Sequence, residues 1–235
     1  MRVGAQDRWT DRRDEGEVHV ELYIAADPAL AQRAAHFQAE VDPTRALVEL
    51  GTLVGYPPCC VEAFARQDDR ANNSRNRYCS HARTLASDGS TRAPWPWELN
   101  NLHSVIVPFY PCSYRCDRAL AWARTALAES ARVHPTYAGE LRAVLARPVL
   151  YFDHEHQVVF DGEVVDGTVT YRAVALAPSP SSQLAVLAAA FGRGERLSLD
   201  DRYLLVERGT QMVLRLERTD PGLGFIAPFG IAASR

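Results

Sequence analysis

Val158-Val159-Phe160-Asp161-Gly162-Glu163-Val164-Val165-Asp166-Gly167-Thr168-Val169-Thr170-Tyr171 sets short β-branched and aromatic runs around two Asp-Gly dipeptides. Such residues suit a pleated, half-buried surface, and Asp-Gly supplies the positive φ angles of a two-residue hairpin turn. The stretch therefore predicts three strands, at 158–160, 163–165 and 168–171, with turns at Asp161-Gly162 and Asp166-Gly167. Immediately upstream, Val149-Leu150-Tyr151-Phe152 reads as a further strand. Between the two lies Asp153-His154-Glu155-His156, in which His154 and His156 would share one strand face as a metal pair does. A polar hairpin turn between apolar strands explains that segment better. Downstream, a short helix near 183–191 and a strand pair at 202–207 and 211–216 complete a β-rich region.

Before Pro148 the pattern is different. A brief alternation over Val18-His19-Val20-Glu21-Leu22-Tyr23-Ile24 predicts one strand, and helices then dominate. Asp27-Pro28 and Asp42-Pro43 each place a capping acceptor before a proline at the first helical position, predicting helices to about 39 and about 50. Tyr56-Pro57-Pro58 opens a third helix over 59–67, and 68–96 is polar and irregular. From Pro111-Cys112 onward, Cys116, Ala119, Leu120, Ala123 and Leu127 recur at helical spacing, and a last helix spans 137–145. The fold class is α+β: a helix-rich domain over 1–147 that carries every cysteine, then a β-rich domain over 148–235.

Composition narrows the chemistry. The chain has 235 residues and a formal net charge of -3, which offers no polyanion-binding footprint and argues against a nucleic-acid partner. All 26 basic residues are arginine. Schiff-base lysines, P-loop lysines and lysine general bases are thereby excluded. The glycine pairs Gly192-Arg193-Gly194 and Gly222-Leu223-Gly224 lack the context of a phosphate loop, and no G-x-S-x-G nucleophile elbow occurs. The polar residues from Met1 to Val18 contain no apolar signal region, and no run approaches the ~18 apolar residues of a membrane span. The expectation is a cytoplasmic protein with reduced thiols and no membrane partner.

The five cysteines, Cys59, Cys60, Cys79, Cys112 and Cys116, cluster in one quarter of the chain. Cys59-Cys60 and Cys112 follow prolines at predicted helix starts, where the positive end of the helix dipole favours the metal-binding thiolate form. Cys112 and Cys116 have i,i+4 spacing, which places both sulfurs on one face if the helix begins at Cys112. Neighbours such as Cys59 and Cys60 diverge by about 100° in a regular helix, so only a non-helical first turn is expected to aim both at one centre. Zinc knuckles favour C-x2-C pairs, which this chain lacks, whereas iron–sulfur clusters accept more varied spacing. A radical-SAM triad would need a third cysteine where Ala119 stands.

Gly55-Tyr56-Pro57-Pro58-Cys59-Cys60-Val61-Glu62-Ala63-Phe64, taken with His103 and Pro108-Phe109-Tyr110-Pro111-Cys112-Ser113-Tyr114-Arg115-Cys116, resembles an uncharacterised prokaryotic family with GYPxCC and PCSxxC segments. The resemblance covers about 45–130 and implies that the two segments act together. It implies no reaction, and Cys79 lies outside both segments.

His103 is placed to reach the same site as a ligand or acid/base, or to serve as a core or capping histidine. Arg115 would offset the charge of an anionic cluster. Trp95 and Trp97 flank Pro96 beside Asn100-Asn101, and would line an organic pocket or pack in the core. The leading reading is a cysteine-ligated, iron–sulfur-dependent enzyme acting on a small organic substrate by lyase, sulfur-transfer or redox chemistry. Its ligands would come from Cys59, Cys60, Cys112 and Cys116 with Cys79, and its catalytic residues would be His103 and Arg115. The alternatives are a zinc-stabilised binding module and a metal-free thiol redox enzyme using Cys112 and Cys116.

Overall fold

The computed structural model describes residues 2–3, 20–21, 27–38, 43–66, 94–102, 106–152, 157–176, 185–218 and 224–231. Packing divides the chain into two compact units, Met1–Arg77 and Tyr78–Arg235. The chain is α+β, with helices in the N-terminal half, a β-sheet in the C-terminal half, and the cysteines on the helix-rich side.

In the first unit, β1 (Arg2–Val3) pairs antiparallel with β2 (Val20–Glu21), the described part of the strand expected over 18–24. Among the described residues, three helices follow: α1 (Pro28–Gln38), α2 (Pro43–Leu53) and α3 (Pro58–Ala65). Asp27 caps α1 as the sequence predicts, its Oδ1 accepting from the Ala29 amide at 2.9 Å. Helix α2 runs through Gly51 and stops at Gly55, whose φ of 78° is the left-handed conformation that ends helices. There the Tyr56 amide donates to the Gly51 carbonyl at 3.0 Å and the Gly55 amide to Thr52 at 3.1 Å, the paired bonds of a Schellman motif. The turn delivers the chain directly into Pro57-Pro58 and α3.

In the second unit, β3 (Trp95–Pro96) runs into a 3-10 turn over Trp97–Leu99, followed by α4 (Asp117–Val133) and α5 (Tyr137–Leu145). Ala119, Ala123 and Leu127 form the buried stripe of α4, as their spacing predicts. Asn100, fully buried, ties the 3-10 turn to the end of α5 by donating from Nδ2 to the Leu145 carbonyl at 2.9 Å.

The strands β4 (Val149–Tyr151), β5 (Gln157–Val165), β6 (Thr168–Leu176), β7 (Arg196–Leu199), β8 (Tyr203–Arg208), β9 (Gln211–Glu217) and β10 (Phe225–Ala227) form a seven-stranded antiparallel sheet. Their order is β10-β4-β5-β6-β7-β8-β9. Between β6 and β7, α6 (Ala185–Arg193) sets Phe191 into a core of Leu150, Val158, Phe160, Val169, Leu197 and Val206. The Tyr171 hydroxyl donates to the Phe191 carbonyl at 2.9 Å, and burial, then Glu195, pushes its pKa up to about 12. A last strand, β11 (Phe229–Gly230), pairs parallel with β3, aligning Phe229 with Trp95.

The two Asp-Gly dipeptides part company here. Asp166 and Gly167 have φ of 48° and 77° and make the expected β5–β6 turn. Asp161-Gly162, expected to be a second turn, instead lies inside β5 at a register shift opposite β6. A Cβ at Gly162 would lie 2.1 Å from the Thr170 carbonyl oxygen and 2.6 Å from the Tyr171 Cα, so this glycine admits a bulge and close backbone approach. Asp161 meanwhile accepts from Arg172 Nε at 2.6 Å across the strands, and that hydrogen bond holds its carboxyl below the usual range. Strands β4 and β5 pair antiparallel on either side of 153–156, which lies outside the described residues.

Candidate metal centre

Pro57 caps α3 and Pro58 occupies its first position, where a missing N–H costs nothing. The Cys60 amide donates to the Pro57 carbonyl at 2.9 Å and the Val61 amide to the same oxygen at 3.1 Å, so the first turn is helical. That corrects the expectation that only a non-helical first turn would aim both cysteines at one centre. Cys59 and Cys60 converge nonetheless, with Sγ atoms 4.0 Å apart, because their Cα atoms are only ~3.8 Å apart and side-chain rotation offsets the angular divergence. Cys60 is buried and Cys59 half-buried.

Cys112 and Cys116 are positioned differently. The helix predicted from Pro111 begins only at Asp117, with Cys116 as its N-cap, so the two do not share a helix face. Residues 111–116 form a turn in which the Cys116 amide donates to the Ser113 carbonyl and the Arg115 amide to Ser113 Oγ, both at 3.0 Å. The serine side chain satisfies backbone that would otherwise enter a helix. Cys116 Sγ accepts from the Ala119 amide at 3.4 Å, an N–H···S bond that places positive charge density on a sulfur. Both cysteines are half-buried.

The Sγ atoms of Cys59, Cys60, Cys112 and Cys116 all lie within 4.8 Å of one another. Four soft donors this close are compatible with binding one thiophilic metal ion. Each of the four carries a thiol, not a disulfide. Arg115 is exposed beside Cys116 in the chain. Cys79 and His103 lie outside the described residues.

Sequence reasoning gave no role to Tyr114 or Phe229, which hold the second loop together with Trp95 and Asn101, and Trp95 is buried in the core. Tyr114, between the two cysteines, is fully buried. Its ring stacks on Trp95 at 4.6 Å and meets Phe229 edge-on at 5.0 Å, and its hydroxyl donates to Asn101 Oδ1 at 3.1 Å. An aromatic residue between two candidate ligands was the available signal. Nearby, half-buried Trp97 opens the 3-10 turn, and the largely buried Glu98 accepts from Arg124 Nε at 3.2 Å.

Fold and site together define an α+β protein with a cluster of four cysteines of metal-ligand type. Residues 20–134 match the model of a family described as "Protein of unknown function (DUF483)", an uncharacterised family, in keeping with the resemblance drawn from the two cysteine segments. The match spans both segments and ends before the seven-stranded sheet begins. No curated protein and no solved structure matches the chain. No helix among the described residues is long and apolar enough to cross a membrane.

Proposed function

We propose that Cys59, Cys60, Cys112 and Cys116 hold a single tetrahedral metal ion of the zinc class, and that the chain is a metal-stabilised binding module. The 4.8 Å limit on sulfur separation carries this reading. Four thiolates about 2.3 Å from a central zinc lie about 3.8 Å from one another, so the sulfurs need to close by only roughly 1 Å. In a four-iron cluster each thiolate binds its own iron, with sulfide between the irons, and the thiolates stand farther apart. Four protein ligands also complete the coordination sphere, which is the chemistry of a structural rather than a catalytic zinc site. Partner recognition then falls to the β-rich region, and the net charge of -3 favours a protein or small-molecule partner over nucleic acid. A reducing compartment, the cytoplasm, keeps such thiols available.

Ligand spacing favours a second reading. The adjacent pair and the C-x3-C pair are not zinc-knuckle spacings, and an iron–sulfur cluster accepts them more readily. In that case the protein is an enzyme for a small organic substrate, with Cys79 as a further ligand and His103 and Arg115 as its catalytic residues.

Anaerobic purification followed by zinc, iron and acid-labile sulfide analysis separates the readings. One metal ion per chain without sulfide is expected. Several irons with matching sulfide would establish the cluster enzyme. Metal-free protein in which Cys112 and Cys116 cycle between dithiol and disulfide would establish the thiol redox enzyme.

A further inference from the structure

We propose that Tyr114 is the positioning residue of the metal loop: seated on Trp95 and Phe229 and tethered to Asn101, it holds Cys112 and Cys116 in ligand geometry before any metal arrives. The inference rests on the metal-binding reading above and adds to it a side chain that ligates nothing.

Three clamps act on the loop, and none needs an ion. The first is aromatic. Trp95 stacks on Tyr114 with planes 22° apart, and Phe229 closes edge-on against both rings, 5.4 Å from Trp95 and 5.0 Å from Tyr114. Trp95 and Phe229 are themselves held in register by β3 and β11, with the Trp95 amide donating to the Pro228 carbonyl at 2.8 Å. The tyrosine therefore inserts into a seat built by backbone pairing.

The second clamp is polar. Asn101 accepts from the Tyr114 hydroxyl and donates from Nδ2 to the Phe109 carbonyl at 3.4 Å, so one amide ties the loop's entry to its midpoint. The third clamp is the Cys116 N-cap, which fixes the exit through the Ala119 amide. Ordering entropy spent during folding does not recur on binding, so a loop fixed in this way raises metal affinity without contributing a ligand.

The test measures zinc affinity of the full reduced chain by competition with a chromophoric chelator, together with the visible d–d bands of the Co(II)-substituted protein. Tyr114→Leu removes ring and hydroxyl and is expected to weaken zinc binding by about 10–100-fold, the range for residues that orient metal ligands. Its Co(II) bands should shift. Tyr114→Phe keeps the ring and is expected to recover most of the affinity and the parental bands. Phe229→Leu, which empties part of the seat, should weaken binding in the same direction and keeps the test open if Tyr114→Leu does not fold. Leu127→Ala, at a buried α4 position beyond the loop, controls for general destabilisation and should bind zinc as the parent does. If Tyr114→Leu or Phe229→Leu binds as tightly as the parent, or Leu127→Ala loses as much affinity, the positioning role is overturned while the metal site stands. A parent chain that takes up neither zinc nor cobalt overturns both.

Discussion

Both cysteine segments follow a proline, yet they are built by opposite means. Cys59 and Cys60 sit in the first turn of α3, and the features that put them there are close in sequence: the Schellman turn at Gly55, then Pro57 and Pro58. Cys112 and Cys116 flank a turn whose anchor, Tyr114, is held by Trp95 and Asn101 from earlier in the chain and by Phe229 from far beyond it. The first segment is shaped locally and the second by tertiary contact. Similar ligand chemistry at two sites therefore predicts dissimilar sensitivity to change.

The largest effect is expected where both segments are needed. Serine at Cys60, Cys112 or Cys116 should remove most bound metal, because four donors close one coordination sphere, while Cys79→Ser should cost less. Metal analysis of the purified variants decides this, and full occupancy in Cys116→Ser would remove that cysteine from the site.

Next comes the tertiary seat. Trp95→Ala deletes a buried ring that contacts both Tyr114 and Phe229, and is expected to lower stability by about 3–5 kcal/mol. Urea unfolding reads this directly. A loss below ~1 kcal/mol, typical of a surface position, would show that the second segment is as locally determined as the first.

The local segment has a smaller test of reversed sign. Alanine in place of glycine inside a helix normally stabilises by about 0.5–1 kcal/mol. At Gly51 the added Cβ would lie 2.9 Å from Val61 Cγ2, on a stiff β-branched side chain one turn into α3. Gly51→Ala should therefore destabilise by about 1 kcal/mol in thermal or urea unfolding. Stabilisation would mean that the α2–α3 contact yields freely.

The smallest effect is expected in the sheet. We propose that strands β5 to β9 respond to metal separately from the cysteine segments, because all the candidate ligands precede residue 117. Chelation should raise amide hydrogen exchange at 59–61 and 112–120, since metal binding energy at a site absent from the unfolded chain is also folding energy. Strands β5 to β9 should keep their protection. A uniform loss across the sheet would indicate one cooperative core.

Where neighbouring residues decide a structure, the sequence was readable. The Asp27 cap, the Asp166-Gly167 turn, α5 and the apolar stripe of α4 all follow from short-range rules. The failures lie where a distant partner intervenes. Asp161-Gly162 carries the same turn dipeptide as Asp166-Gly167, but the backbone of Thr170 and Tyr171 presses against Gly162 and makes a bulge. Pro111 signals a helix start as Pro58 does, but the buried Tyr114 holds the chain in a turn until Asp117. The cysteine quartet was legible as a set of residue types. Its closeness was not, because local spacing says nothing of how Cys59-Cys60 meets Cys112 and Cys116.

The seat of Tyr114 also sets an order of events during synthesis. Phe229 is added more than a hundred residues after Cys116. At ribosomal rates of roughly 5–20 residues per second, about 6–23 s separate the synthesis of Cys116 from that of the ring that closes the seat. Throughout that interval Cys112 and Cys116 are nascent-chain thiols without their finished frame, open to oxidants and to any thiophilic ion nearby. If the four cysteines hold a metal ion as proposed, their finished frame is ready to receive it only after β11 has been made.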